Sequence, residues 1–227
     1  MAQQQGVDFG LGVKYDKFTI IQPENVFKMN MDLGALVFVS YSRSINKKLS
    51  WEAGFATNNY KVNFRITSPT GVVFSERELV SVMRSNRLYA NIRHHSKQLS
   101  QKIFWVNTIG FSVLIGAKNP SDMILERQAT INTSSGSQNV NIKVKTYGLT
   151  GSVLMFSLGS RLYYQISQNY KLVANLGFIT GTSEVTKVDI DYVFNSDPTY
   201  KKAIFSSNGF APYLTFGASY IWQKDKK

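Results

Sequence analysis

The chain has 227 residues, which is enough for one all-β domain or two small ones. Aromatic residues make up 13% of it, and many Gly, Ser and Thr accompany them, a composition that favours short strands over helices. It contains no cysteine, which excludes disulfides, a lipoprotein anchor and thiolate metal sites, and no apolar run approaches the length of a membrane helix. The net charge of +12 would suit nucleic acid, but the basic residues are scattered, so we do not expect a nucleic-acid partner.

The predicted strands share one pattern, in which large apolar residues alternate with small or polar ones. The first strand begins near Val7, and its large residues Val7, Phe9, Leu11 and Val13 alternate with Asp8, Gly10, Gly12 and Lys14. Successive side chains of a strand point to opposite faces, so one face is apolar and the other is small or polar. A connection over 16–34 precedes a second strand over 35–44, and a third strand starts at Leu49.

The third strand changes character at Asn58 and Asn59. Before this point the apolar residues occupy odd positions, and after it they occupy even positions, namely Tyr60, Val62, Phe64 and Ile66. One extra residue in a strand produces such a change of parity. The pattern therefore predicts either a β-bulge or the point where the strand leaves the membrane.

The next segment, 67–100, is open to two interpretations. Ser75 and Glu78 form a capping-box pattern, and helical spacing follows at Leu79, Val82 and Met83. These residues predict a short helix in a loop. The alternation that follows predicts a strand over about 87–95, and an even number of strands requires one there.

Three more strands are predicted at 105–116, 154–164 and 172–178. The long polar segment 118–150 separates the first two, and its tip is predicted at 134–137. Because residues 140–145 alternate, we expect this segment to continue as a hairpin beyond the bilayer. Residues 185–194 alternate again above the seventh strand.

The final strand carries the clearest pattern. Its large face comprises Phe210, Pro212, Leu214, Phe216, Ala218, Tyr220 and Trp222, and its other face is small and partly polar. Large residues on the outside and small ones inside suit a lipid-embedded barrel with a narrow lumen. Residues 215–222 also resemble the C-terminal assembly signal of bacterial outer-membrane barrels, whose four defined places are filled by Thr215, Gly217, Tyr220 and Trp222. The chain departs from many of those proteins in the polar tail that follows.

The connections between the eight strands alternate between long and short. The short ones, near Asn46, Gln98 and Gln168, share one end with both termini, and the long ones share the other end. Transmembrane barrels show this asymmetry. We therefore predict an all-β fold, an eight-stranded antiparallel up-and-down transmembrane β-barrel with short periplasmic turns and long extracellular loops. Residues 7–222 would form the single barrel domain, 1–6 the remainder after cleavage of a signal peptide, and 223–227 a polar tail.

Over 7–222 the architecture resembles the small eight-stranded outer-membrane barrels, in particular the OmpA-like or OmpW-like barrels of the Bacteroidota type. This resemblance implies a place in the outer membrane of a Gram-negative cell envelope. It also implies contact with lipid and lipopolysaccharide, and insertion by the outer-membrane assembly machinery. A fold shared by many activities says little about function.

Four charged residues fall on the small, inward face near the short turns: Asp8, Glu52, Arg93 and Arg161. A charge inside a narrow barrel is costly unless it is paired. We therefore predict an interior polar cluster that plugs the lumen, with Tyr89 and Tyr163 nearby. A gate for small solutes is the functional alternative.

Six aromatic residues cluster near the short turns: Trp51, Trp105, Tyr164, Tyr170, Tyr220 and Trp222. Rings with polar edges prefer the interface between membrane and water, so the pattern predicts an aromatic girdle. A carbohydrate-binding platform is the sharper alternative.

The only histidines, His94 and His95, are adjacent and point to opposite faces of a strand, so they cannot chelate one metal ion together. Barrel enzymes place His with Ser and an acid near the extracellular rim, whereas these residues and Ser96 precede a predicted periplasmic turn. We expect no enzyme activity, no metal and no cofactor. The predicted function is anchoring, envelope integrity or surface binding of a still unknown protein through the long loops. The alternatives are a narrow channel for small or hydrophobic solutes, a soluble lipocalin-like carrier, and a barrel enzyme acting on lipids.

Overall fold

The computed structural model describes residues 3–30, 33–116, 124–133, 136–147, 152–195, 197 and 199–224, and these form strands and their connections. The strands are β1 (Gln3–Tyr15), β2 (Thr19–Ile21), β3 (Phe27–Met29), β4 (Leu33–Ser44), β5 (Leu49–Thr67), β6 (Val73–Gln98), β7 (Ile103–Gly116), β8 (Ile124–Thr133), β9 (Gly136–Tyr147), β10 (Ser152–Gln165), β11 (Tyr170–Gly181), β12 (Thr186–Phe194), β13 (Lys201–Ser207) and β14 (Ala211–Lys224). No membrane-spanning helix occurs within the described part of the chain.

Eight of these strands close into a barrel, which confirms the predicted fold class. Around the barrel the order is β1, β4, β5, β6, β7, β10, β11 and β14, and all neighbours are antiparallel. The last strand closes the barrel on the first, from Gln3 opposite Lys224 to Lys14 opposite Tyr213. The first strand thus starts earlier than the predicted Val7.

The barrel has two unlike ends. We call the end with the tight connections 45–48, 99–102 and 166–169 the short-turn end, and the opposite one the capped end. The outer wall between them is apolar, and several of its side chains are more than half exposed: Phe9, Leu11, Ile109, Phe111, Leu158 and Phe216. A continuous apolar belt of this size is unsuited to water and fits the hydrocarbon of a bilayer.

The long connections build a second sheet rather than open loops. Its strands pair in the order β2, β13, β12, β9 and β8. One face of this sheet packs on β3 and on the upper part of β5, and the shared core contains Phe27, Phe64, Tyr192 and Phe205. The rings of Phe27 and Tyr192 lie edge to face, with centroids 5.0 Å apart. We call this sheet, together with β3 and the upper parts of β5 and β6, the cap.

The predicted bulge at Asn58 and Asn59 is wrong. β5 pairs with β6 in unbroken register from Leu49 to Val62, and its register shifts lie above Val62. The even-numbered residues therefore face inward throughout, and the interior itself changes from polar to apolar. The strand passes at this point from the barrel into the cap, which is the other interpretation that the sequence allowed.

The sequence left open whether 75–84 is a short helix or a strand, and in the structure it is a strand. The segment belongs to β6, whose 26 residues run from Val73 to Gln98. The long partner β5 supplies the hydrogen bonds of an extended ladder over the same stretch. A tertiary partner of this kind overrides a local helical pattern.

Candidate functional site in the barrel lumen

Four charged side chains meet inside the barrel near the short-turn end. Arg93 Nη2 lies 2.5 Å from Asp8 Oδ2 and 2.6 Å from Glu52 Oε1. Arg161 Nη2 lies 2.9 Å from Glu52 Oε2, and its Nη1 lies 3.2 Å from Asp8 Oδ2. The structure thus brings together all four residues of the predicted interior cluster, and we call this network the ionic layer.

Each member of the ionic layer comes from a different strand, β1, β5, β6 or β10. Inward-facing positions at similar heights on these strands converge on the barrel axis, because the barrel is narrow. Two neighbours add further hydrogen bonds to the carboxylates. Asn91 Nδ2 donates to Glu52 Oε2 at 2.9 Å, and Tyr163 Oη donates to Asp8 Oδ2 at 3.1 Å.

The ionic layer is sealed from solvent. Glu52 is fully buried, and Asp8, Arg93 and Arg161 are each less than 5% exposed. Burying such charges is expensive, and only close pairing with several hydrogen bonds offsets the cost. The two carboxylates and two guanidinium groups balance in charge, so the layer is stable as a unit and intolerant of losing one member.

Aromatic rings fill the bore next to the ionic layer. A side chain placed on Gly54 would meet the Tyr89 ring at 2.6 Å, and one on Gly177 would meet Tyr213 Oη at the same distance. The inward glycines therefore make room for rings that cross the lumen, and they do not line an open passage. This arrangement explains why small residues alternate so regularly on the inner face.

An apolar layer follows toward the capped end. Leu36, Leu114, Met155 and Ile179 pack there with Tyr60. The buried pair Lys14–Asp16 lies beside it, with Lys14 Nζ 2.5 Å from Asp16 Oδ1 and 3.5 Å from the centre of the Tyr60 ring. The cap core lies beyond. Ionic, aromatic and apolar layers thus succeed one another along the axis.

A recess opens at the short-turn end. It has a volume of about 350 Å³ and reaches inward as far as Arg93. Lys47, His95, Lys97 and Lys171 also line it, and none of the described residues on its wall is acidic. The ionic layer forms its floor, so the recess ends blindly.

The two histidines lie on opposite sides of β6, as expected for neighbours on a strand. His95 Nε2 lies 3.0 Å from Ser50 Oγ at the mouth of the recess. His94 Nδ1 lies 3.0 Å from Ser96 Oγ on the exposed side, and Asn107 Nδ2 donates to the same hydroxyl at 2.9 Å. Among the described residues, no carboxylate bonds to either histidine, and no group of three metal-ligating side chains occurs.

The predicted girdle residues lie at the short-turn end, on the outer wall. Tyr170 and Tyr220 have ring centroids 5.1 Å apart, and Tyr220 stacks on Trp222 at 5.7 Å. Tyr41 continues the row between Trp222 and Trp51, at 6.3 Å and 5.4 Å. Trp105 and Tyr164, the remaining predicted members, are each 40% exposed or more on the neighbouring strands β7 and β10.

The residues of the predicted assembly signal lie on β14, the strand that closes the barrel. Thr215 is buried in the lumen, and Tyr220 belongs to the aromatic row. Gly217 faces Gly10 across the closing seam, and a Cβ at Gly217 would lie 2.7 Å from the Gly10 Cα. The seam therefore needs glycine for close approach of the two strands.

Three charged residues of the lumen were not predicted as members of the interior cluster. Arg87 and the pair Lys14–Asp16 are buried there. The alternation of inward and outward side chains would place Lys14 and Arg87 inside, since each is an even number of residues from other inward-facing residues of its strand. The position of Tyr41 in the girdle also follows from parity, because it faces outward with Val39.

Comparison with known proteins bears on the fold. No protein-family model matches the chain, and no curated protein matches its sequence. The outer membrane protein OprG from Pseudomonas aeruginosa superposes with a TM-score of 0.57 at 10% identity, over 98% of this chain and 97% of that one. Neisserial surface protein A matches with a TM-score of 0.47 at 9% identity, over 96% of each chain. A major outer membrane protein from Thermus thermophilus matches at 0.45 and 13% identity, over 98% of this chain and 100% of that one.

Identities this low relate the chains by architecture alone. The closed eight-stranded barrel, the apolar outer wall and the alternation of tight and long connections agree with that architecture. The chain therefore has the fold of the small β-barrels of bacterial outer membranes.

Proposed function

We propose that this protein is a non-enzymatic barrel of the bacterial outer membrane that anchors its cap at the cell surface for binding. The observation that carries the proposal is the filled lumen, in which ionic, aromatic and apolar layers follow one another. An eight-stranded barrel has an interior just wide enough to be filled by side chains. A barrel filled in this way serves as a support, and the cap is the part that can meet a partner.

The cap is suited to this role because it is an ordered surface with its own core. Its sheet presents Lys143, Lys187 and Lys202 on the side away from that core, together with Glu126 and Asp189. Binding residues commonly lie on connections that a rigid scaffold positions. We infer that a protein or carbohydrate at the cell surface would meet this face, and that lipid and lipopolysaccharide would contact the belt and girdle.

Conductance in planar bilayers tests the closed lumen. We expect the purified, refolded protein to produce no current steps above those of the detergent alone. Discrete steps in the unmodified protein would contradict the proposal and favour the alternative, a narrow channel for small solutes.

Single-cysteine labelling tests the location and orientation. The chain has no cysteine, so Ser137→Cys in the cap and Ser100→Cys at the short-turn end each introduce one thiol at an exposed position. On intact cells, a membrane-impermeant maleimide should label the first variant and reach the second only after the outer membrane is permeabilised. Reversed or equal labelling would contradict the proposed orientation.

The non-enzymatic part of the proposal rests on the histidine contacts. His94 and Ser96 are in hydrogen-bond contact, but nucleophilic catalysis needs a third group that orients the base. Both side chains are exposed on the outer side of the barrel. Hydrolysis of a lipid or peptide substrate by the purified protein, lost in His94→Ala, would contradict the proposal that the protein is not an enzyme.

A further inference from the structure

The lumen holds a small cavity above the ionic layer. Its volume is about 30 Å³, and its wall includes Arg87, Arg161, Asn175, Tyr213 and Thr215. A water molecule needs about 10–15 Å³ of such space, so the cavity can hold one or two small species.

The charges buried in the lumen do not balance. Asp8 and Glu52 pair with Arg93 and Arg161, and Asp16 pairs with Lys14. Arg87 is 7% exposed, and among the described residues it forms no ion pair. The buried lumen therefore carries four cations, Lys14, Arg87, Arg93 and Arg161, against the three carboxylates Asp8, Asp16 and Glu52.

An isolated buried charge is costly unless it is neutralised or paired. A lysine could lose its proton, but a guanidinium stays charged at physiological pH. The carboxylate of Glu52 does not pair with Arg87, because both of its oxygens already accept bonds from Arg93, Arg161 and Asn91. Loss of the Lys14 proton would balance the count, but it would still leave Arg87 without a bonded counterion among the described residues. An anion from outside the chain would supply that counterion.

Residues with unpartnered donors line the same cavity. The Nε of Arg87, the Nε of Arg161 and the hydroxyl of Thr215 are buried without a hydrogen-bond partner among the described residues. The Tyr213 hydroxyl and the Asn175 side chain share the wall. The unpartnered Asn175 atom is the acceptor Oδ1, so a rotation of the amide would be needed to turn its NH2 group toward an anion. A site rich in N–H and O–H donors around an unpaired guanidinium, with no carboxylate among the described residues of its wall, has the chemistry of an anion site.

We propose that the small cavity between Arg87 and Arg161 binds one small monovalent anion of the halide class, chloride under physiological conditions. The cavity is too small for phosphate or a carboxylic acid with its substituent. Water could satisfy the donors but could not balance the charge. The proposal rests on the closed lumen of the proposed function, because only a closed cavity keeps the anion from free exchange with solvent.

The first experiment locates the ion. The full chain is refolded in detergent with bromide as the only halide and crystallised, and anomalous scattering is measured at the bromine absorption edge. We expect a peak among Arg87, Arg161 and Thr215. Density for water alone at this place, with no anomalous signal, would overturn the proposal.

The second experiment measures the linkage between halide and stability. The protein is unfolded in chloride and in gluconate at equal ionic strength. Well above the dissociation constant, each tenfold rise in chloride should lower the unfolding equilibrium constant about tenfold. Arg87→Met should lose this dependence, whereas Lys17→Met, which removes an exposed cation, should keep it. Equal dependence in the unmodified protein and Arg87→Met would overturn the proposal.

A second variant tests the site if Arg87→Met does not fold, because it places a carboxylate in the cavity instead of removing the guanidinium. Asn175→Asp places a negative charge on the wall of the same cavity and should replace the anion. We expect this variant to remain folded in gluconate and to show no chloride dependence. Retained chloride dependence in Asn175→Asp would count against the site. Current steps in bilayers would instead overturn the closed lumen, whatever the bromide result.

Discussion

The membrane section of the barrel and the cap are built in opposite ways from the same strands. Within β5, Ser50 and Glu52 face the lumen below Asn58, while Val62 and Phe64 face the core above it. The outward-facing side chains change as well. They are large and apolar on the belt, whereas lysines face outward on the cap sheet. One strand thus passes from a polar interior to an apolar interior, and its register is unbroken from Leu49 to Val62.

The contrast shows that the surroundings decide which interior a sheet requires. Lipid accepts apolar side chains on the outer wall, so the barrel interior can be polar if every charge is paired. Water around the cap rewards burial of apolar groups, so the cap has a core like that of a soluble protein. Substitutions that act differently in the two sections test this explanation.

Glu52→Gln should have the largest effect, because it leaves Arg93 and Arg161 facing one another with a single carboxylate. We expect a loss of about 3–5 kcal/mol in the free energy of unfolding, measured by urea titration in detergent. Glu126→Gln is the matched control, since its pair with Lys143 is exposed at the surface and should contribute little to stability. If the two variants were equally stable, the ionic layer would not stabilise the fold as we expect.

Ile190→Ala tests the apolar interior of the cap. The side chain is fully buried in the cap core, and its truncation should cost about 2–5 kcal/mol. We expect the cap strands to become sensitive to protease while the barrel stays intact. Phe156→Ala, on the exposed outer wall, removes more atoms and should have the smaller effect in detergent. The reverse order would mean that the cap is not stabilised by its own core.

Gly54→Val tests the filled bore. A Cβ at this position would approach the Tyr89 ring to 2.6 Å and the Ser40 Cβ to 2.7 Å. Overpacking of this kind typically costs about 1–3 kcal/mol. Ala53→Val on the neighbouring outward position is the control and should be nearly neutral. A neutral Gly54→Val, measured by thermal unfolding, would indicate that the lumen has free space.

Acid should affect the cap through Asp189, with the smallest change. Burial alone would raise the pKa of Asp189, but the hydrogen bonds from Lys202 and Tyr147 and the positive charge of Lys187 outweigh it, and its pKa lies below the usual value. Its contribution to stability is therefore present above the unfolded pKa of about 4 and is lost as pH falls through the lower folded value. In thermal unfolding from pH 6 downward, Asp189→Asn should flatten this decline by up to about 1 kcal/mol. An unchanged pH profile would contradict the role of these contacts.

The barrel strands were predictable because alternation and turn spacing are local signals. Val7 to Val13 and Leu214 to Trp222 show on their own which face meets lipid. The ionic layer followed from the same parity, since inward charges of opposite sign had to meet in a narrow bore. The cap was only partly accessible, because its pairings join segments far apart in the chain, such as Ile20 with Phe205.

The remaining errors share one physical cause, which is that a local pattern does not show what surrounds it in space. At Asn58 the apolar pattern changed its parity, and a bulge was the local explanation, but a change of surroundings produced the same pattern. At Ser75 a helical pattern was overridden by the long β5 ladder. Parity could place Arg87 in the lumen, but it could not show that Arg87 lacks a partner, since that depends on its neighbours in space.

The order of strands in the cap sheet has a consequence for how this surface can be altered. β2 belongs to the connection after β1, β8 and β9 to that after β7, and β12 and β13 to that after β11. No contiguous stretch of the described chain could be excised and grafted to transfer the whole surface onto another barrel. Diversity at the surface must instead arise hairpin by hairpin, and each exchanged hairpin has to complete a sheet that the other connections supply.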